Sequence, residues 1–133
     1  GYLKLDPFEV WGNGEQIRNW TYVDDIVSGT IATAEKMHDG TSINLGTMER
    51  IKVKDCADQV IDTLNPGATI KLLTDKPTGP LNRVASNELA KELLGWEPKT
   101  SFQVGLQKTI QWYIDSKTTE QASADLNRKL VGR

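Results

Sequence analysis

Cysteine and histidine are nearly missing from this sequence: 133 residues contain one of each, Cys56 and His38. A single cysteine closes no internal disulfide, and one lone histidine brings no second histidine or cysteine partner for a zinc site. Long hydrophobic runs are missing too. No stretch approaches the roughly 20 apolar residues that a membrane span needs. The opening GYLKLDPFEVWG lacks a basic region followed by an apolar core, so no signal peptide is expected, and a reducing, cytoplasmic setting follows. Excess positive charge is absent as well. The formal net charge is -2 and the pI about 5.4, with lysines and arginines scattered among carboxylates. Such a surface offers no general attraction for nucleic acid. Internal repeats and low-complexity segments are lacking.

What remains is the composition of one ordinary globular domain, with 38% hydrophobic and 26% charged residues. The chain enters a strand almost at once, as a truncated piece would. Phe8 to Trp11 reads as that strand, and Gly12-Asn13-Gly14 as a tight turn. Ile17 to Val23, rich in β-branched and aromatic residues, reads as the returning strand of a hairpin. Asp24 or Asp25 then caps a helix to about Met37 that buries Ile26, Val27, Ile31 and Ala34. Ser42 to Leu45 is a short buried strand candidate. The clearest helix follows, with Val53, Cys56, Ala57, Val60, Ile61 and Leu64 on one face and Asn65-Pro66-Gly67 as its stop. Thr69 to Leu73 reads as a strand and Thr74 to Asn82 as a loop.

A short helix from Ser86 or Asn87 buries Leu89, Ala90, Leu93 and Leu94 and ends at Gly95. Thr100 or Ser101 caps the next helix, which presents Phe102, Leu106, Ile110 and Tyr113 on one face. Beyond Ser116 the chain is polar, with Leu126, Leu130 and Val131 as its few anchors. A frayed tail is expected over 117–133, after a substrate-binding portion over 1–116. Alternating elements imply α/β or α+β layering, with few short strands, about four helices and an incomplete sheet.

Several motifs need weighing. Gly12-Asn13-Gly14-Glu15-Gln16-Ile17 begins like a dinucleotide fingerprint, but Ile17 replaces the third glycine and no helix opens within it, so a turn is the better reading. Tyr113 and Lys117 form a literal Tyr-x-x-x-Lys, yet the tyrosine belongs to an apolar stripe. Asp24-Asp25 reads as a helix cap and a favourable charge at the positive end of the helix dipole. His38 reads as a surface residue, and Cys56 as a packing residue. On a strand, Gln16, Arg18, Trp20 and Tyr22 share one face. A guanidinium beside rings and an amide suits a phosphorylated ligand, and equally a surface stack on Trp20. Arg83 follows a Pro/Gly loop and precedes a helix, where binding residues often sit.

The ordered set of segments FEVWGNGEQIRNWTYVDDIVSG, SINLGTMERIKVKDCADQVID and KPTGPLNRVASNELAKELLGWEPKTSFQVGLQKTIQWYI resembles the extended short-chain dehydrogenases that act on nucleotide sugars. These are NAD-dependent epimerases and dehydratases, and the resemblance is to their carboxy-terminal, substrate-binding portion. The GDP-mannose 3,5-epimerase group is the nearest in flavour. The resemblance implies a parent enzyme that binds NAD on an amino-terminal Rossmann domain and a nucleoside-diphosphate sugar in a cleft roofed by this chain. Gln16 and Arg18 would lie at the substrate, Arg83 would hold the diphosphate, and Val10 and Trp11 would border the nucleotide. The family's glycine-rich loop and catalytic Tyr-x-x-x-Lys normally precede the region covered. This chain alone is therefore expected to bind no NAD tightly and to need a Rossmann partner in cis or in trans. The alternative is a free-standing, non-catalytic module that self-associates, as a homo-oligomer.

Overall fold

The computed structural model describes residues 1–131. They form a small α/β unit of five helices and short strands arranged in two partial, Rossmann-like sheets. Strand β1 (Phe8–Trp11) pairs in parallel with β4 (Ile70–Leu73), with Phe8 opposite Ile70 and Trp11 opposite Leu73. A parallel pair needs a long crossover. Here the intervening residues carry helices α1 (Val23–Lys36) and α2 (Val53–Leu64), and α2 packs against β1. The second sheet is built on β2 (Ile17–Arg18). This strand pairs antiparallel with β3 (Ile51–Lys52) and parallel with β5 (Asn82–Arg83).

The hairpin expected between Phe8–Trp11 and the following segment does not form. Gly12 and Gly14 both take left-handed backbone angles, with φ of 82° and 76°. They turn the chain out of the first sheet and into the second. The β ladder also ends at Arg18, so Trp20 and Tyr22 lie on an extended segment without a partner strand. The run Ser42 to Leu45 is likewise no strand. Ile43 and Leu45 instead pack against a core of Ala90, Leu94 and Trp96.

That core explains the orientation of α1. The expected stripe is largely outside: Val27 and Ile31 are 50% and 54% exposed, while Gly29 is buried. With no side chain, Gly29 admits the Trp96 ring and Leu45 at a distance no Cβ would allow. The indole Nε1 of Trp96 donates to Ser28 Oγ at 3.0 Å, so the ring's polar atom is satisfied as the rest is buried. Helix α3 (Glu88–Leu94) buries Ala90 and Leu94, whereas Leu89 and Leu93, expected inside, are exposed. Its seven residues present one narrow line to the core. Gly95, at φ 67°, closes it, and the Trp96 N–H returns to the Ala90 carbonyl.

The stripe of α2 lies inward as expected, with Ala57 and Ile61 buried. Helix α4 (Phe102–Ser116) is capped by Ser101 Oγ, which accepts from Val104 N–H at 3.4 Å. The Glu49 carboxylate accepts from Phe102 N–H at 2.7 Å at the same helix end. The expected frayed tail is instead a fifth helix, α5 (Thr119–Val131). It opens on a capping box: Thr118 N–H donates to Gln121 Oε1 and Gln121 N–H donates to Thr118 Oγ1. Buried Ala122 anchors it, and Lys117 pairs with Asp125 at 3.1 Å. The side chains of Leu130 and Val131, named above as anchors, lie outside the described residues.

Candidate functional site: an arginine pair beside a cleft

Parallel pairing of β2 with β5 sets Arg18 directly opposite Arg83, although 65 positions separate them in the sequence. Residues in register on neighbouring strands project to the same side of a sheet. The guanidinium of Arg18 donates to the Ile17 carbonyl at 2.7 Å and, through Nη2, to the Thr78 carbonyl at 3.4 Å. Among the described residues, neither arginine sits in an ion pair with a carboxylate. Two adjacent cations on one short sheet repel each other in the absence of an anion. Their juxtaposition provides planar, permanently charged donors for phosphate oxygens.

Beside this sheet lies a cleft of about 510 Å³, with Glu9, Val10, Trp11, Gln16, Pro77 and Thr78 among its walls. Three of the sequence candidates, Val10, Trp11 and Gln16, therefore line this cleft. Val10 is buried and contributes to the floor; Trp11 is half-buried at the end of β1. Gln16 is 3% exposed, and its Nε2 faces the Trp11 carbonyl at 3.5 Å while Oε1 has no donor. Arg18 adjoins the cleft through Thr78. A Cβ at Gly12 would run into the Thr78 methyl and the Gln16 amide, so this glycine keeps the cleft wall closed up. Thr78 and Glu9 went unnoticed in the sequence. Their only signal was position, in a Pro/Gly loop and next to the predicted nucleotide border.

The decoy motifs are put to structural use. Gly12-Asn13-Gly14 leads into β2 and not into a helix, so the turn is no dinucleotide cradle. The Tyr113 ring meets Tyr2 edge-on, with centroids 5.4 Å apart, while the Tyr2 hydroxyl donates to the Lys117 carbonyl at 2.8 Å. This knot ties the start of the chain to the end of α4. Asp24 is exposed in the first turn of α1, but Asp25 caps nothing on its own helix. It is 7% exposed and accepts from the Lys99 and Thr100 backbone N–H groups at 3.1 and 3.0 Å. Burial alone would raise its pKa. The two backbone donors outweigh that, aided by the Thr100 hydroxyl and the Lys108 charge, and hold the carboxyl below its usual range. His38 is exposed, and the described residues contain no cluster that could hold a metal ion.

A second, larger hollow of about 730 Å³ lies between the start of α1 and α4, walled by Trp20, Tyr22, Phe102 and Trp112. Trp20 packs on Phe102 with ring centroids 5.6 Å apart and borders both cavities. Among the described residues the cation–π contact is Lys108 over Tyr22, and Arg18 makes none with Trp20. Cys56 also borders both, and burial pushes its thiol pKa up. No described helix is long and apolar enough to cross a membrane.

This α/β unit has counterparts among known proteins. The family described as GDP-mannose 4,6 dehydratase matches residues 3–109. The chain belongs to this family of NAD-dependent nucleotide-sugar epimerases and dehydratases. UDP-glucuronic acid decarboxylase 1 of Arabidopsis thaliana is 34% identical over 108 residues, covering 81% of this chain and 25% of the relative. The dTDP-glucose 4,6-dehydratase of Escherichia coli is 33% identical, covering 92% of this chain and 36% of the relative. Among solved structures, an epimerase from Methanothermobacter thermautotrophicus superposes with a TM-score of 0.77 at 28% identity, over 86% of this chain and 34% of that one. UDP-glucuronic acid 4-epimerase of Bacillus cereus, solved with UDP-glucuronic acid and NAD, gives a TM-score of 0.69 at 29% identity, over 80% and 36% of the two chains. The chain thus spans about a quarter to a third of the length of these relatives.

Proposed function

We propose that this chain is the carboxy-terminal, substrate-binding portion of an NAD-dependent nucleoside-diphosphate-sugar epimerase or dehydratase, within which Arg18 and Arg83 grip the diphosphate. The observation that carries the reading is the direct opposition of these arginines on β2 and β5, with neither in an ion pair among the described residues. A diphosphate diester carries two negative charges, and leaving water costs it heavily unless charged donors meet its oxygens. Two guanidinium forks supply such donors. Gln16 lies on the same approach to the substrate, and Val10 and Trp11 border the nucleotide. The Phe-x-x-Trp-Gly-x-Gly-x-Gln-x-Arg segment, Phe8 to Arg18, favours a likeness to the GDP-mannose 3,5-epimerase group within the family.

NAD belongs to the parent enzyme's Rossmann portion, in cis or in trans, where it would oxidise a sugar carbon transiently and acidify the neighbouring C–H. The residues described here bind and orient. They hold the diphosphate, border the nucleotide and keep water from its charged oxygens. Calorimetry of the full protein with GDP- and UDP-sugars tests the reading. Arg83→Ala is expected to weaken binding about 10- to 100-fold, the range for losing a charge-assisted contact to phosphate. Binding unchanged by Arg83→Ala and by Arg18→Ala would remove the basis of the proposal. Exposed Val27 and Ile31 favour a second reading, a self-associating module indifferent to nucleotides. Gel filtration with and without ligand separates the two.

A further inference from the structure

Base preference is the open question of such a site, and the cleft wall contains one charged group that bears on it. Glu9 and Trp11 are two apart on β1 and so project to the same side, with Lys71 and Leu73 opposite them on β4. Both line the cleft that Arg18 adjoins through Thr78. Among the described residues that line this cleft, Glu9 is the one acidic residue. Among the described residues its ion-pair partner is Lys71, whose Nζ lies 3.6 Å from Oε1, with both side chains about half exposed. An exposed pair at that distance contributes little and yields readily to a ligand.

We propose that Glu9 is the base-selecting residue of this cleft and that it selects guanine. The inference rests on the sugar-nucleotide reading above, since the arginine pair must first fix the diphosphate for a base to reach β1. A carboxylate is an acceptor only, with two oxygens in one plane. The Watson–Crick edge of guanine offers two neighbouring parallel donors, N1–H and the exocyclic N2–H. Together they match a carboxylate as a guanidinium does, in bidentate fashion. Uracil and thymine offer a single N–H flanked by two carbonyl oxygens, which a carboxylate repels. Adenine pairs one donor with a bare ring nitrogen and is disfavoured for the same reason. Trp11, on the same side as Glu9, supplies the apolar surface on which a purine ring rests. Lys71 behind Glu9 keeps the carboxylate from carrying unbalanced charge once the cleft is filled.

The test holds the sugar constant. GDP-glucose, UDP-glucose and dTDP-glucose are titrated by calorimetry into the full protein and into the variants Glu9→Gln and Lys71→Gln. The wild type is expected to bind GDP-glucose at least about tenfold more tightly than the other two, as a bidentate charged contact provides. Glu9→Gln places an N–H donor against the donors of guanine, and the preference should shrink to about threefold or less. Lys71→Gln leaves the acceptors in place and should keep the preference. Circular dichroism melts confirm that each variant is folded. Equal binding of all three ligands, a preference for UDP- or dTDP-glucose, or a guanine preference that survives Glu9→Gln would overturn the assignment while leaving the arginine site standing. Binding of none of the three overturns both.

Discussion

Asp25 provides the most exacting test of how this fold is held together. Its carboxylate is buried at the start of α1 and accepts the Lys99 and Thr100 N–H groups, thereby fixing the segment that leads into α4. Asp25→Ala leaves both donors without an acceptor. An orphaned donor costs about 1–3 kcal/mol when buried. These two are partly buried, so the loss should total about 2–3 kcal/mol. Asp25→Asn keeps one acceptor oxygen but loses the charge, and should cost about 1–2 kcal/mol. Urea titration followed by circular dichroism measures both. The pH dependence supplies an independent check. Because folding lowers the Asp25 pKa, the unfolded chain takes up the proton first as pH falls. The stabilisation is complete above the unfolded value of about 3.9 and is lost as pH drops through the folded value. The gap between wild type and Asp25→Asn should therefore be widest near neutrality and close in acid. A variant within about 0.5 kcal/mol of wild type at pH 7, the scatter of ordinary surface substitutions, would refute the reasoning. So would a gap that ignores pH.

Two further outcomes follow from packing. Gly29→Ala places a Cβ 2.8 Å from Leu45 and 2.9 Å from the Trp96 ring. The overpacking, about 1–3 kcal/mol, exceeds the helix-propensity gain of about 1 kcal/mol, so the melting temperature should fall. An unchanged or higher midpoint would show that α1 does not rest on Trp96. Cys56, whose thiol burial pushes up, should react with a disulfide reagent at pH 8 far more slowly in the folded chain than in guanidinium. Equal rates in the two states would contradict its half-buried placement.

Strand pairing was the least legible feature of the fold. Period-two patterning marks Phe8–Trp11 as a strand without naming its neighbour, and a glycine turn invites the local partner. The neighbours are in fact Ile70–Leu73 for the first strand and Ile51–Lys52 and Asn82–Arg83 for the second. The outward Val27 and Ile31 show a related limit. Hydrophobic spacing marks a face, but Gly29 and Trp96 decided which face this chain covers. The terminal helix was legible and missed: Thr118 and Gln121 have capping-box spacing, and the polarity of the segment masked it.

Local chemistry along the chain sufficed to define α2, the Gly95 stop and the strand Phe8–Trp11, to place the strand Ile70–Leu73 to within a residue, and to narrow the α4 cap to Thr100 or Ser101, because propensity and capping act over a few residues. It also singled out Arg18 and Arg83 individually, by residue type and by their place beside turns. Only the tertiary structure set them opposite each other and put Glu9, Gln16 and Thr78 on one cleft wall. Which distant segments meet depends on burial and ladder hydrogen bonds summed over the whole chain. No local window contains that sum.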